Sequence, residues 1–486
     1  MSENLAHWNT SREITERVVV TGKLVLLTPT HLGSGEAAGP TDMSLLRDPL
    51  TETSALLTGA SITGALRNYL RELEHGYGKR IPKDKPSNSP VVQLFGGQRG
   101  YDGGAQSLLI VDDALSESAA IEVRDGVCID PKRGTAMVEE TDGRKKGYKF
   151  DLELLQAGVS FSLRFELLIP QGREQVKTAL ARALQGLEKG EIALGARKRR
   201  GFGRCKVKDW RVVSFDLTTP DGLMNWLQED DAAAREGAGI ADLLQVSAEG
   251  SDLRESFRIK ATFYLDGSML IRADAESGAD AGHLHSVNHL GERVPVLSGT
   301  SLAGVLRHRA LRIANTLAPD GDGGGLVETM FGRSPQDGDE GLTASRVIVR
   351  ETAIEGVQRL VQSRVQLDRF TGGAYPTALF SEEPIFGGQD SRVEVDVSLR
   401  NPKDHEVGLL LLLLKDLWTG DLTVGGERSI GRGRLAGVRA ELHWKDAKTD
   451  QPWELVQTES GLSIEDGPKE RLDECVQALV LEGGSR

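Results

Sequence analysis

The sequence predicts an α+β protein in which one ferredoxin-like (RRM-like) β-α-β-β-α-β unit occurs twice in tandem. Three observations predict it. Short stretches alternate apolar and polar residues, the period-2 mark of half-buried strands. Between them lie stretches whose apolar residues recur every three or four positions, the mark of helices. The order of these stretches, with the glycine motifs that separate them, then returns at offsets between 230 and 240 residues, as a tandem duplication requires.

In the first copy, residues 18–28 are β-branched and apolar and read as a long strand broken by Gly22. A Gly-rich polar loop, 30–42, follows. Gly59-Ala-Ser-Ile-Thr-Gly-Ala-Leu-Arg67 opens a helix, with Ser61 or Thr63 placed to cap it and Leu66, Tyr69, Leu70 and Leu73 on its apolar face. Residues 108–111 form a short strand. Val159, Phe161, Leu163, Phe165 and Leu167 alternate as a half-buried strand, and Val176, Leu180, Leu184 and Leu187 keep helical spacing. A last strand spans 205–213. The long stretch before the third strand is an insertion within this unit.

The second copy keeps the order. Phe257, Ile259, Ala261 and Phe263 alternate; Gly299-Thr-Ser-Leu-Ala-Gly-Val-Leu-Arg307 mirrors the first helix start; Val393, Val395, Val397 and Leu399 alternate; residues 405–418 supply the second helix and 435–444 the last strand. The domain boundaries expected are 1–215, a linker at 216–256 holding a short amphipathic piece (Leu223 to Trp226), 257–445, and a tail at 446–486 with one helix over 469–481.

Composition bounds the function. A 39% apolar and 27% charged chain is that of a water-soluble globular protein, and no apolar run reaches the ~20 residues of a membrane span, so no membrane partner is expected. The three cysteines, Cys128, Cys205 and Cys475, have no metal-type spacing and fit a reducing, cytoplasmic setting. No P-loop or Ser/His/Asp order occurs, which argues against ATP or triad chemistry. The net charge of −13 opposes polyanion binding when taken alone. Its distribution does not, because a polyanion feels the local patch. Arg197, Lys198, Arg199 and Arg200 are consecutive, and Arg144, Lys145, Lys146 and Lys149 form a second cluster.

The first basic cluster lies in Gly195-Ala-Arg-Lys-Arg-Arg-Gly-Phe-Gly-Arg204, which returns as Gly425-Gly-Glu-Arg-Ser-Ile-Gly-Arg-Gly-Arg434. Glycine permits positive φ and close backbone approach, exposed N–H groups cradle phosphate, and arginine adds fork-shaped donors. Each loop precedes a last strand. The pattern points to a grip on a sugar–phosphate backbone through Arg197, Lys198, Arg199, Arg200 and Arg204, with Phe202 either stacking on a base or packing beneath the loop. Arg428, Arg432 and Arg434 form a weaker counterpart, diluted by Glu427. Arg67 and Arg307, one turn inside the helix starts, either donate to phosphate there or are solvated charges.

A ferredoxin-like unit, a Gly/Arg loop before its last strand and a Gly-x-Ser-φ-x-Gly-x-φ-Arg helix start resemble the RAMP proteins of CRISPR systems. More narrowly, Thr41-Asp-Met-Ser-Leu-Leu-Arg-Asp-Pro-Leu50 is similar to the first loop of the Cas seven-like backbone subunits of type III effector complexes. Ile129-Asp-Pro-Lys-Arg-Gly-Thr-Ala136 is similar to the start of their β-hairpin thumb, and Leu367-Asp-Arg-Phe-Thr-Gly372 holds the equivalent place in the second copy. Two fused units resemble the type III-D arrangement. The resemblance implies a ribonucleoprotein subunit that binds guide RNA and target RNA beside other effector subunits. It further implies thumbs that intercalate in the guide–target duplex, and target-RNA cleavage by a loop aspartate with Mg²⁺ or another divalent cation. A non-catalytic scaffold of the same complex and a guide-RNA processing endoribonuclease are the alternatives.

Asp42 allows two readings by itself, a turn-starting residue after Pro40 or a carboxylate that binds Mg²⁺; the resemblance selects the second. In the second copy the offset sets Asp42 on Gly282, the nearest carboxylate is Asp280, and Asp274 is a weaker choice. His283 and His285, with His289 close by, put two rings on one strand face, which zinc would accept. No fourth ligand accompanies them, so polar-loop or RNA-contact roles are expected. His31, beside Gly33, is expected as a loop histidine, with acid–base assistance the alternative.

Overall fold

A computed structural model gives the fold. It describes residues 14–35, 41–51, 53–81, 89–97, 106–118, 120–130, 135–141, 144–147, 149–318, 321–333, 343–446, 450–459 and 461–484. The chain is α+β and divides into two compact units. The first takes the chain to Val123, Leu152–Ala196 and Gly203–Leu253; the second takes Arg124–Asp151, Arg197–Phe202 and everything from Arg254 onward.

In the first copy of the repeat, which supplies the first unit and the segments Arg124–Asp151 and Arg197–Phe202 of the second, β1 (Ile14–Leu26) is followed by β2 (Leu56–Leu57), α1 (Gly59–His75), α2 (Pro90–Phe95), β3 (Leu109–Val111) and β4 (Ala114–Leu115). Next come β5 (Ile121–Val127), the hairpin β6 (Val138–Thr141) and β7 (Arg144–Gly147), and β8 (Lys149–Leu155). The unit closes with β9 (Ser160–Pro170), α3 (Val176–Glu188) and β10 (Cys205–Asp216). The sheet runs β10-β1-β9-β3 with every neighbour antiparallel. Val18, Val20, Leu24 and Leu26 of β1 and Phe161, Leu163, Phe165 and Leu167 of β9 turn one face inward. Ile62, Leu66, Leu70 and Leu73 of α1 and Val176, Leu180, Leu184 and Leu187 of α3 cover that face. Gly22 interrupts β1 because Trp210 needs its place: a Cβ there would lie 2.6 Å from the indole. Gly186 admits Tyr69 in the same way, at 2.7 Å. The cap of α1 is neither Ser61 nor Thr63. Thr58 caps it, its hydroxyl accepting from the Ser61 N–H at 3.2 Å.

The stretch expected as a linker is folded. It carries α4 (Pro220–Leu227), β11 (Arg235–Gly237) and α5 (Ile240–Leu243). β11 adds to the sheet beside β10, and Ile240, Leu243 and Leu244 join the first core.

The second unit opens with β12 (Ser256–Met269), β13 (Arg272–Ala273), β14 (Ala281–His283), β15 (His285–Val287), β16 (Arg293–Leu297), α6 (Gly299–Leu317) and α7 (Gly324–Phe331). β17 (Val347–Val349), β18 (Thr352–Glu355), β19 (Gln358–Arg359), β20 (Gln362–Leu367), β21 (Ala374–Glu383), β22 (Ile385–Gly387) and β23 (Arg392–Arg400) follow, then α8 (Asp404–Trp418) and β24 (Arg434–Lys445). β24, β12, β23 and β17 repeat the order and antiparallel sense of the first sheet. The tail adds β25 (Asp450–Thr458), β26 (Gly461–Asp466) and α9 (Lys469–Gly484), the two strands extending the sheet beyond β24. α8 is apolar nearly all round because it is covered twice. Its inner face meets the sheet, and α9 packs closely enough that a Cβ on Gly408 would lie 2.2 Å from the Cys475 carbonyl. No helix among the described residues is long and apolar enough to cross a membrane.

Candidate nucleic-acid interface

The two Gly/Arg loops are built alike. Each starts on a left-handed residue, Arg197 (φ 54°) or Glu427 (φ 61°), makes one 3-10 turn (Lys198–Arg200 or Arg428–Ile430), and ends on two positive-φ glycines. The Leu194 N–H donates to the Gly203 carbonyl at 2.8 Å, and the Val424 N–H to Gly433 at 2.8 Å. The glycines are dictated by that closure: a Cβ on Gly203 or Gly433 would stand 1.9 Å from the carbonyl oxygen of Leu194 or Val424. Their recurrence in both copies therefore follows from the backbone, before any ligand is considered.

The loop cations divide into two groups. Lys198 and Arg200 are exposed, and Arg199 and Arg204 are half-buried. The Arg197 guanidinium lies 4.5 Å from the Phe150 ring centroid, and burial pushes its pKa down. Phe202 is buried at 2% exposure with the Arg124 guanidinium over its ring, so it packs and does not stack on a base. Arg432 is likewise buried and ion-paired to Glu382 at 3.1 Å and Glu427 at 2.5 Å, which removes it from the RNA-contacting set. Arg428 and Arg434 are exposed. Arg67 donates to the Gly96 carbonyl at 3.1 Å and so closes the C-terminal end of α2. The helix start it was expected to serve is already capped, since the Gly59 N–H donates to Asp113 at 2.7 Å.

In the second unit the cations converge. Burial, and then the charge of Arg200, lower the pKa of Arg307 on α6. His308, the next residue, is lowered by burial and then by Arg428 and Arg312. Arg200 thus lies near Arg307 of α6, and Arg428 and Arg312 near His308, with the carboxylates Glu328 and Asp130 also close by. His308 and Arg312 were missed from the sequence, although their i, i+4 spacing on one helix was the available signal. Of the cluster at 144–149, Lys149 is exposed and pairs with Asp125 at 2.9 Å.

Asp42 is exposed at the end of the loop that leaves β1. Met43 bridges Leu152 in parallel, Gly33 bridges Leu45 antiparallel, and the Glu153 carboxylate accepts the Leu45 N–H at 3.1 Å and Arg47 at 3.3 Å. His31 is buried beneath, its Nδ1 2.8 Å from the Glu153 carbonyl and its Nε2 2.7 Å from where a Gly33 Cβ would stand. It is a packing residue and cannot reach a surface substrate. Asp48 binds the Thr51 N–H at 3.0 Å and closes a turn.

The second unit repeats this register. Arg272 pairs with His283, and Ala281 pairs in parallel with Glu382. Gly33 and Leu45 therefore match Arg272 and His283, Met43 matches Ala281, and Asp42 matches Asp280. The offset that set Asp42 on Gly282 is corrected by two residues, and Asp274 falls outside the match. Asp280 is exposed and engaged: its Oδ2 accepts the Ser381 N–H at 2.7 Å and hydroxyl at 3.1 Å, bonds that hold its carboxyl below the usual range.

His283 stands where the first unit has the core residue Leu45. Its Nδ1 accepts the Ile271 N–H at 3.2 Å and its Nε2 lies 3.1 Å from the Val296 carbonyl, so both nitrogens are used. Burial lowers its pKa to about 4. His285 begins the next strand and His289 is exposed, so the three do not make a zinc face. No group of three His, Cys, Asp or Glu residues gathers among the described residues. A site with one exposed carboxylate suits Mg²⁺, which completes its shell with phosphate oxygens and water.

Two hairpins present apolar side chains to solvent. In the first copy Val123, Val127, Ile129, Met137 and Val138 are exposed; residues 131–134, expected at the base of that hairpin, lie outside the described residues. In the second, β20 and β21 end in a turn where Asp368 accepts the N–H groups of Phe370 at 2.7 Å and Thr371 at 3.0 Å. Phe370 is 95% exposed at its tip.

Two copies of one α+β fold, each copy carrying a Gly/Arg loop, a loop carboxylate and a hairpin with exposed apolar side chains, define a tandemly duplicated protein. The RAMP superfamily model matches residues 23–206 and again residues 256–436. The chain belongs to the RAMP superfamily, as a tandem member, and is thereby placed among CRISPR-associated RNA-binding proteins. The family includes endoribonucleases. No curated protein matches the chain.

Proposed function

We propose that the protein is a two-unit backbone subunit of a cytoplasmic type III CRISPR effector, of the fused type III-D sort. Each unit is a ferredoxin-like domain whose apolar hairpin serves as a thumb. Guide RNA lies along the cations of the Gly/Arg loops and α6, target RNA pairs with it, and other effector subunits flank the chain. Asp42 cleaves the target. In that step the 2′-oxygen attacks the adjacent phosphorus, its proton passes to the Asp42 carboxylate, the bond to the 5′-oxygen breaks, and that oxygen takes a proton from solvent water. The products are a 2′,3′-cyclic phosphate and a 5′-hydroxyl end. A divalent cation held by Asp42 would supply charge stabilisation at the phosphate.

The observation that carries this reading is the matched register of Asp42 and Asp280 in duplicated loops of a tandem RAMP chain. Its test is a reconstituted complex with guide and labelled target. Asp42→Ala should abolish one cut and leave RNA binding intact; cutting at every position in that variant would overturn the catalytic role. The hydrogen bonds from Ser381 favour a second reading for unit two alone, a non-cutting scaffold. Under that reading Asp280→Ala changes no cut, whereas loss of a second cut establishes two active sites.

A further inference from the structure

At two matched positions the first copy is apolar and the second ionic, and at a third the charge is reversed. The parallel partner beside the loop carboxylate is Leu152 in one copy and Glu382 in the other. The residue between the two loop glycines is Phe202 in one and Arg432 in the other, and the left-handed residue is Arg197 in one and Glu427 in the other.

These changes build a cluster of three guanidiniums and two carboxylates. Arg432, Arg272 and Arg364 lie 3.1, 2.9 and 3.5 Å from Glu382, whose side chain is 2% exposed. The same three lie 2.5, 3.3 and 3.3 Å from Glu427, which is 17% exposed. Gln362 accepts from Arg432 at 2.9 Å. The two carboxylates differ in role. Glu382 is the inner anchor, fixed by the strand pairing of β21. Glu427 sits on the outer side, in a loop, and its Oε2 has no aligned hydrogen bond despite the crowding cations. The cluster carries one surplus positive charge, and Arg272 is 61% exposed at its outer edge. An anionic oxygen pair bridging several guanidiniums is the arrangement that a phosphodiester also satisfies.

We propose that Arg272 and Arg364 form a phosphate subsite for the RNA backbone beside Asp280, and that Glu427 is a built-in stand-in for that phosphate, displaced when RNA binds. The proposal rests on the RNA-binding reading above and adds a subsite and its internal competitor. Glu382 keeps Arg432 paired in either state, so only the outer carboxylate moves.

The test uses the full chain and a labelled single-stranded RNA, titrated over 50 to 200 mM salt. Glu427→Gln removes the competitor, so affinity should rise several-fold. Arg272→Gln should weaken binding and flatten the salt slope by ~0.7, the value for one neutralised phosphate on a single strand. Circular dichroism and melting confirm that the variants are folded. Equal or weaker binding by a folded Glu427→Gln overturns the proposal. Should that variant not fold, Arg272→Gln decides, because its exposed side chain is not needed for the core, and an unchanged slope overturns the proposal. Binding by the wild type with no change in either variant sinks this subsite alone, whereas no binding by any form sinks the RNA-binding reading with it.

Discussion

Replacing His283 by leucine should change how acid acts on this fold, and the size of the effect follows from the site. The imidazole is buried, with Nδ1 accepting from Ile271 and Nε2 donating to the Val296 carbonyl, an arrangement only the neutral ring can make. Its pKa is about 4, against 6.5 for the free side chain. Between those values the unfolded chain binds a proton and the folded one does not, so stability falls as pH falls from 6.5 toward 4. A tenfold change in proton affinity is worth ~1.4 kcal/mol, so His283 alone withdraws ~3 kcal/mol across that window. Leucine, the residue type at the matching position of the first unit, removes the titration. It also strands the Ile271 N–H and the Val296 carbonyl, at ~1–3 kcal/mol each near neutral pH. The assay is urea unfolding of both proteins at several pH values from about 7.5 to about 4, with the pH effects of all other groups cancelling in the difference. The variant should be the weaker protein at neutral pH, and its deficit should shrink by ~3 kcal/mol as the pH falls. A deficit that stays constant across the window would refute the assignment of a neutral buried imidazole.

Other outcomes follow from single interactions. Gly433→Ala should destabilise by more than ~2 kcal/mol in urea unfolding, because its Cβ meets a carbonyl oxygen at 1.9 Å. Gly431→Ala, whose Cβ meets nothing within 4 Å, should cost only the ~1 kcal/mol of its positive φ. Glu406 has no exposed surface and pairs with Arg346, one of their hydrogen bonds being 3.1 Å; Arg346→Met should strand it and cost ~3–5 kcal/mol of unfolding free energy. The double variant Lys198→Ala, Arg200→Ala should lower RNA affinity and flatten its salt dependence by ~0.7 for each phosphate left unneutralised, and an unchanged slope would remove that loop from the interface.

The duplication was legible because it is written in short-range signals. Period-2 strands such as Phe161-Leu163-Phe165 and Val393-Val395-Val397, and the helical spacing of Leu66, Leu70 and Leu73, depend on neighbours a few residues away. So do the loop glycines, whose positive φ and tight closure forbid other residues. What stayed hidden depends on partners far apart in the chain. Ile240 and Leu243 fold onto the first core from a stretch whose Ala/Gly-rich, acidic composition reads as linker. Thr58 takes the cap from Ser61 because the strand before it delivers an extended backbone three residues earlier. The match of Asp42 with Asp280 needed strand pairing, since the intervening loops differ in length and an offset alone slips by two residues.

The same limit hid the divergence between the copies. Arg197 and Glu427 occupy one backbone conformation, and neither residue type is required by it. The fold therefore left this position open, and the two copies filled it with opposite charges. In the first, Arg197 lies against the Phe150 ring while Lys198 and Arg200 face outward. In the second, the carboxylate turns inward and gathers Arg272, Arg364 and Arg432, which lie up to 160 residues apart in sequence. A residue that the backbone does not dictate is where two otherwise matched halves can acquire different affinities for the same polyanion.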